Sequence, residues 1–162
     1  GYPVGIMDVI ALPDAKQMFR VMPARGGRLK LHPIQGGESE FKLCRIIGKT
    51  TLRGGRVQLN LHDGRNVILQ EEDAYKVDDV LQLKVPEQEV LGHISFEPRA
   101  LAVVTGGRSQ GRYGTIIGLG SEPGSKRTAT IRTPDGEKVR TLAKYVFPVG
   151  SERPLISLPG GI

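Results

Sequence analysis

The chain has 162 residues, 38% hydrophobic and 5% aromatic, with no Trp, a net charge of +6 and a pI near 9.7. Such a chain can build one ordinary domain or two small ones with modest cores, and its single cysteine, Cys44, excludes an internal disulfide. No apolar run approaches the ~18 residues of a membrane helix, and no basic amphipathic helix is present for a lipid surface, so the basic balance points to nucleic acid and not to a membrane.

The apolar runs are short, alternate with a period of two, and are punctuated by 22 Gly and 11 Pro. That pattern predicts strands and turns. In chain order, strands are expected at 7–12, 18–22, 29–34, 41–47, 56–62, 65–69, 80–85, 90–96, 100–105, 113–119, 128–132, 138–142 and 146–149. Asp63-Gly64 and Asp135-Gly136 each separate two such runs. An Asp-Gly pair in that position predicts a two-residue hairpin with positive φ at both turn residues. Helical pattern is confined to single turns at 71–76 and 142–145. The expected fold is all-β, with two small β-barrel-like domains. Residues 1–97 form a central domain, with 1–10 as a linker into it. Residues 98–162, with about five strands and a helical turn before the last, suit an SH3-like barrel.

Charge is segregated along the chain. Residues 1–15, 16–65, 66–97 and 98–162 carry −2, +8, −6 and +6. The first basic block sets Arg25, Arg28 and Lys30 around Gly26-Gly27, and Lys49, Arg53 and Arg56 around Gly54-Gly55. Basic side chains beside paired glycines make loop tips that can follow a phosphate backbone. The second contains the run Gly106-Gly107-Arg108-Ser109-Gln110-Gly111-Arg112-Tyr113-Gly114, and further on Lys126-Arg127. Gly106, Gly107, Gly111 and Gly114 let the chain turn sharply or another backbone approach. Arg108 and Arg112 can bond phosphate, Ser109 and Gln110 offer polar contacts, and Tyr113 can stack on an unpaired base. Read without function, the same run is a glycine-rich hairpin with solvated arginines.

Catalytic constellations are not found. Gly124-Ser125-Lys126 has the wrong order for a P-loop and no helix follows. His32, His62 and His93 have no metal-ligand spacing, and His32 and His62, beside turns, are expected to be exposed. Cys44 lies in the apolar run 41–47 and is expected to be a buried, inert thiol. The acids Glu71–Asp73 and Asp78-Asp79 lack a calcium-loop order and are expected to form a solvated face. No enzyme activity, cofactor, metal or small-molecule substrate is expected.

The stretch from Val104-Thr105-Gly106 through Gly111, Gly114 and Ile116 resembles a KOW motif, the strand–loop–strand segment of SH3-like barrels in ribosomal proteins and NusG-type transcription factors. The Lys usual before its second glycine is Gln110 here. Three further stretches narrow the resemblance: Tyr2–Ile10, then Phe41–Cys44 with His62–Arg65, then Val146–Gly150 with Pro154–Pro159. They resemble the small-subunit ribosomal protein S4e family of archaea and eukaryotes, nearly end to end. Leu155 stands where that family suggests Trp. The resemblance implies a longer protein, because an N-terminal RNA-binding domain precedes the Tyr-Pro segment in that family. The compact form points to an archaeal source. It further implies a structural constituent of the cytoplasmic ribosome, bound to small-subunit ribosomal RNA and neighbouring ribosomal proteins, and monomeric outside it. The alternative is a KOW module of a transcription elongation factor docking on RNA polymerase.

Overall fold

The computed structural model describes residues 5–12, 17–34, 36–70, 75–85, 87–151, 154–156 and 158. Among these, thirteen strands form three antiparallel sheets. β1 (Val9–Leu12), β2 (Gln17–Pro23) and β3 (Leu29–Ile34) make the first, in that order. β4 (Phe41–Thr51), β5 (Val57–Leu61), β6 (Asn66–Leu69), β7 (Val80–Lys84) and β8 (Glu89–Ile94) make the second, in the order β6-β5-β4-β7-β8. β9 (Leu101–Val104), β10 (Tyr113–Gly120), β11 (Thr128–Arg132), β12 (Lys138–Leu142) and β13 (Val146–Gly150) make the third, in the order β12-β11-β10-β9-β13. The all-β reading is borne out. The turn expected before the last strand is a 3-10 turn at Ala143–Tyr145, whereas most of the turn expected at 71–76 lies outside the described residues.

Both five-stranded sheets bend by the same device. The first half of β4 pairs with β7 and its second half with β5, with a register shift between Ile46 and Gly48. β10 pairs first with β9 and then with β11, with a shift between Ile116 and Gly118. An extra residue at such a point increases twist and bends the strand, so one long strand serves two neighbours and the sheet curls around it. Each curl encloses an apolar cluster, Cys44, Ile46, Leu59, Leu61, Leu81 and Leu83 in one and Ala102, Val104, Ile116, Ile131 and Val146 in the other. A third cluster lies between the sheets, where Met22 and Leu43 meet Val103, Phe147 and Val149. β4 is therefore buried on both faces over residues 42–46, where Leu43, Cys44 and Ile46 alternate with the buried Lys42 and Arg45, while Ile47 is exposed.

The two Asp-Gly hairpins differ from expectation. Leu61 donates its N–H to Arg65 O at 2.9 Å and Thr133 to Glu137 O at 2.9 Å, so each loop has three residues. Gly64 and Gly136 have φ of 90° and 86°, while Asp63 and Asp135 are absent from the positive-φ set. The glycine closes the loop as a one-residue bulge, and the Asp caps it from within: Oδ1 of Asp63 accepts the N–H of Arg65 at 3.0 Å. Folding the loop this way also turns His62 inward. Its Nδ1 accepts the Arg45 N–H at 3.0 Å, its Nε2 lies 3.3 Å from Ile6 O, and its ring meets Phe147 edge-on at 5.3 Å. His62 is thus a packed joint and not an exposed side chain. His32 is half-buried.

Candidate nucleic-acid interface

The glycine run connects β9 to β10 as a tight loop held by its own backbone. Val104 donates to Arg112 O at 2.8 Å and Gly111 to Val104 O at 2.9 Å. Its glycines serve close packing. A Cβ at Gly106 would enter the Tyr145 ring, one at Gly114 would enter the Arg132 carbonyl, and one at Gly111 would sit 3.0 Å from the Ala24 backbone. Gly111 additionally has φ of 93°, a region that excludes most side chains. The close approach at Gly111 joins this loop to another one.

That other loop is the 3-10 turn Arg25–Gly27 between β2 and β3. Gln110, only 7% exposed, donates Nε2–H to Arg28 O at 2.7 Å. The two basic glycine loops, 82 residues apart in the chain, are therefore locked side by side. Arg25, Arg28 and Arg108 are exposed around the joint, while Ser109 and Arg112 are partly covered. Arg112 pairs with Glu137 at 2.6 Å, and that bond raises its already high pKa. Tyr113 begins β10 and packs partly on the junction core. Gln110, at the place of the motif's usual Lys, is a structural bolt here, with little surface left to touch a ligand.

The remaining basic candidates are dispersed. Lys30 is exposed on β3. Arg53 and Arg56 flank the tip of the β4–β5 hairpin, where Arg53–Gly55 forms a 3-10 turn, and Arg56 contacts Arg53 O. This tip repeats the Arg25 turn almost exactly in kind: both read Arg-Gly-Gly-Arg, and all four glycines have φ between 74° and 79°. Both turns are closed by an N–H donated to the second Arg carbonyl, from Ala24 at 2.8 Å and Leu52 at 2.7 Å. Lys49 bonds Tyr75 O at 3.0 Å. Lys126 is exposed, while Arg127 pairs with Asp78 at 2.6 Å and lies over the Phe96 ring.

Several residues escaped the sequence reading. Arg132, Lys138 and Arg140 are exposed on one face of β11–β12, with Arg132 directly opposite Lys138. The alternation Lys138-Val139-Arg140 was the available signal. Arg45 is buried and ties β4 to the Ala143 and Lys144 carbonyls at 3.0 and 2.7 Å, with Asp78 at 2.8 Å. Arg20 is wholly buried, bonds Glu38 O at 2.6 Å and Phe41 O at 3.0 Å, and is pulled down to about 10 by burial.

Asp78 and Asp79 do not form a solvated face. Asp78 clamps Arg45 and Arg127, and buried Asp79 accepts from Lys76 and Phe96 N–H and meets His93 Nε2 at 2.7 Å. They serve the fold because the acids sit on the connection from β6 to β7, where Asp78 reaches Arg45 of β4 and Arg127 of the third sheet's β10–β11 connection. Glu71–Asp73 lie outside the described residues. The Cys44 thiol is buried and pushed up to about 12, first by burial and then by Asp63, so it stays protonated. Among the described residues no group of three or more His, Cys, Asp or Glu is placed to hold a metal ion.

A family model described as ribosomal family S4e matches residues 15–90. The chain is 48% identical to the small ribosomal subunit protein eS4 of Methanothermobacter thermautotrophicus over 99% of its length and 66% of that protein. It is 42% identical to the same-named protein of Staphylothermus marinus, covering 67% of it. The crystal structure of the 30S ribosomal protein S4e from Thermoplasma acidophilum superposes with a TM-score of 0.77 at 31% identity, over 91% of this chain and 73% of that one. The chain belongs to the ribosomal S4e family. It spans about two thirds of its S4e relatives, 66% in the first case. The S4e resemblance read from the sequence is borne out.

Proposed function

We propose that the chain is a structural constituent of the small ribosomal subunit, acting in the cytoplasm on the ribosome. It binds small-subunit ribosomal RNA through phosphate contacts and RNA shape, without chemistry of its own, beside neighbouring ribosomal proteins and as a monomer outside the particle. Membership in the S4e family supports this reading, and the joint between the two glycine loops carries it to particular residues. The proposed contacts are Arg25, Arg28, Arg108, Ser109, Arg112 and Tyr113 at the joint, with Lys30, Lys49, Arg53, Arg56, Lys126 and Arg127 as outlying positions. Gln110 and Gly111 hold the joint together, and Gly106, Gly107 and Gly114 shape the loop that carries it.

The test is a salt titration of small-subunit ribosomal RNA binding to the chain. Replacing Arg108 and Arg112 by Ala is expected to weaken binding and flatten log K against log salt by about 1 per lost phosphate contact. Weaker binding with an unchanged slope would remove this loop from the interface.

A further inference from the structure

The loop joint has a recess on one side, and the residues around it are not those of a phosphate cradle alone. Across from Arg25 and Arg112 stands the β11–β12 turn, so that Tyr113, Thr133, Pro134 and Asp135 line a cleft of about 270 Å³. Its placement follows from the packing already described. Gly114 lets β10 pass against the Arg132 carbonyl and Thr133, and Gly111 seats the loop on Ala24. Three chain segments far apart in sequence therefore meet at one opening.

The turn is rigid. Asp135 Oδ1 is bonded by the Thr133 hydroxyl and lies 3.4 Å from the Glu137 N–H, while Thr133 is itself 5% exposed. Those bonds hold the Asp135 carboxyl below its usual range, the Thr133 hydroxyl first among them, so it is an acceptor only at neutral pH. A carboxylate at this position opposes a plain phosphate site. It suits a group that presents N–H donors, flanked by apolar and aromatic surface and by cations on the rim.

We propose that this cleft takes a single unstacked guanine of RNA. Pro134 and Tyr113 supply apolar and aromatic wall, Asp135 accepts from the guanine Watson–Crick edge, and Arg25 and Arg112 meet the flanking phosphates. Unpaired bases are bound in this manner, splayed out onto aromatic surface and read on their edges. Guanine alone presents two adjacent donors, N1–H and N2–H, on that edge, so the carboxylate oxygen of Asp135 that the turn does not engage meets donors and no acceptor. Uracil presents one donor between two acceptors and would place a carbonyl against the carboxylate. The inference rests on the RNA-binding reading and adds to it a base and a pocket.

The experiment measures affinity of the chain for RNA hairpins of one stem carrying a one-nucleotide bulge of G, A, C or U, with small-subunit ribosomal RNA as a parallel ligand. Bulged G is expected to bind about ten-fold more tightly than bulged U, within the range of one good edge contact. In Asp135→Asn the side-chain oxygen can still cap the turn while the amide offers donors, so the G preference is expected to vanish, with affinity for the other three bulges rising with the lost negative charge. A uniform rise with the preference intact would remove Asp135 from base recognition and overturn the proposal. Equal affinity for the four bulges, or no hairpin binding while ribosomal RNA still binds, also overturns it and leaves the broader reading standing. Failure of the unaltered chain to bind ribosomal RNA overturns both.

Discussion

Two adjacent residues contribute to the pH response. Burial pushes the Asp63 carboxyl up, but bonds from the Arg65 N–H, Lys42 and the Arg65 side chain outweigh it and hold it well below its ordinary 3.8. A carboxyl depressed by folding contributes stability that is present above its unfolded pKa and lost as pH falls through the folded value. His62 is also depressed, by burial first, from an ordinary 6.5, and its Nδ1 is already an acceptor for Arg45 N–H. Protonation there meets a donor, so stability is expected to fall as pH drops below about 6.5. Chemical denaturation across pH should therefore show two steps, one beginning near 6.5 and one below 3.8. His62→Gln is expected to shrink the upper step and leave the lower one, with His32, also lowered by burial, accounting for the remainder. Asp63→Asn is expected to shrink the lower step and cost about 2–3 kcal/mol at neutral pH, since it weakens charge-assisted bonds to Lys42 and Arg65. Neither role was visible in the sequence. His62 stands next to a turn signal, and only the three-residue closure of that turn, together with the Ile6 and Phe147 contacts, draws it inward.

Strand positions were legible because side-chain alternation is a local property. Val57, Leu59 and Leu61 are buried while Gln58 and Asn60 are half-buried, as the alternation dictates. The glycine loop was legible as a loop, but what its glycines do was not, since Tyr145, Ala24 and Arg132 approach from distant parts of the chain. Gln110 shows the difference most clearly. In sequence it is a polar loop residue available to RNA, and in the fold it is a buried donor to Arg28 O. Gln110→Ala is expected to cost about 1–2 kcal/mol by leaving that carbonyl unpaired. It should weaken RNA binding through loss of loop alignment, with no change in the salt slope. A reduced slope would show instead that Gln110 touches the nucleic acid or that a cation moved with it.

Charge segregation was readable at the scale of the whole chain and separated the basic surfaces from the acidic stretch. The sharing of one core between the sheets was not, because its contacts join residues such as Leu43 and Phe147 that no local pattern links. We propose the expected division near residue 97 as a division between sheets that unfold together. Phe147→Ala, which empties a 3% exposed site between them, is expected to cost about 3–5 kcal/mol. Amide exchange should then accelerate in β4 and β7 as well as in β9 and β13. Acceleration confined to β9–β13 would mean that the two sheets unfold separately.

The paired Arg-Gly-Gly-Arg turns give the molecule an internal reference. Sequence, turn closure and glycine φ are matched, and both cap hairpins, but one copy is roofed by Gly111 and Gln110. A protease that cuts after arginine meets the same Arg-Gly bond at Arg25 and at Arg53, so a difference in cleavage rate between those two bonds reports the shielding conferred by the neighbouring loop. Cleavage at Arg53 should precede cleavage at Arg25, and Gln110→Ala should narrow the gap from one side only.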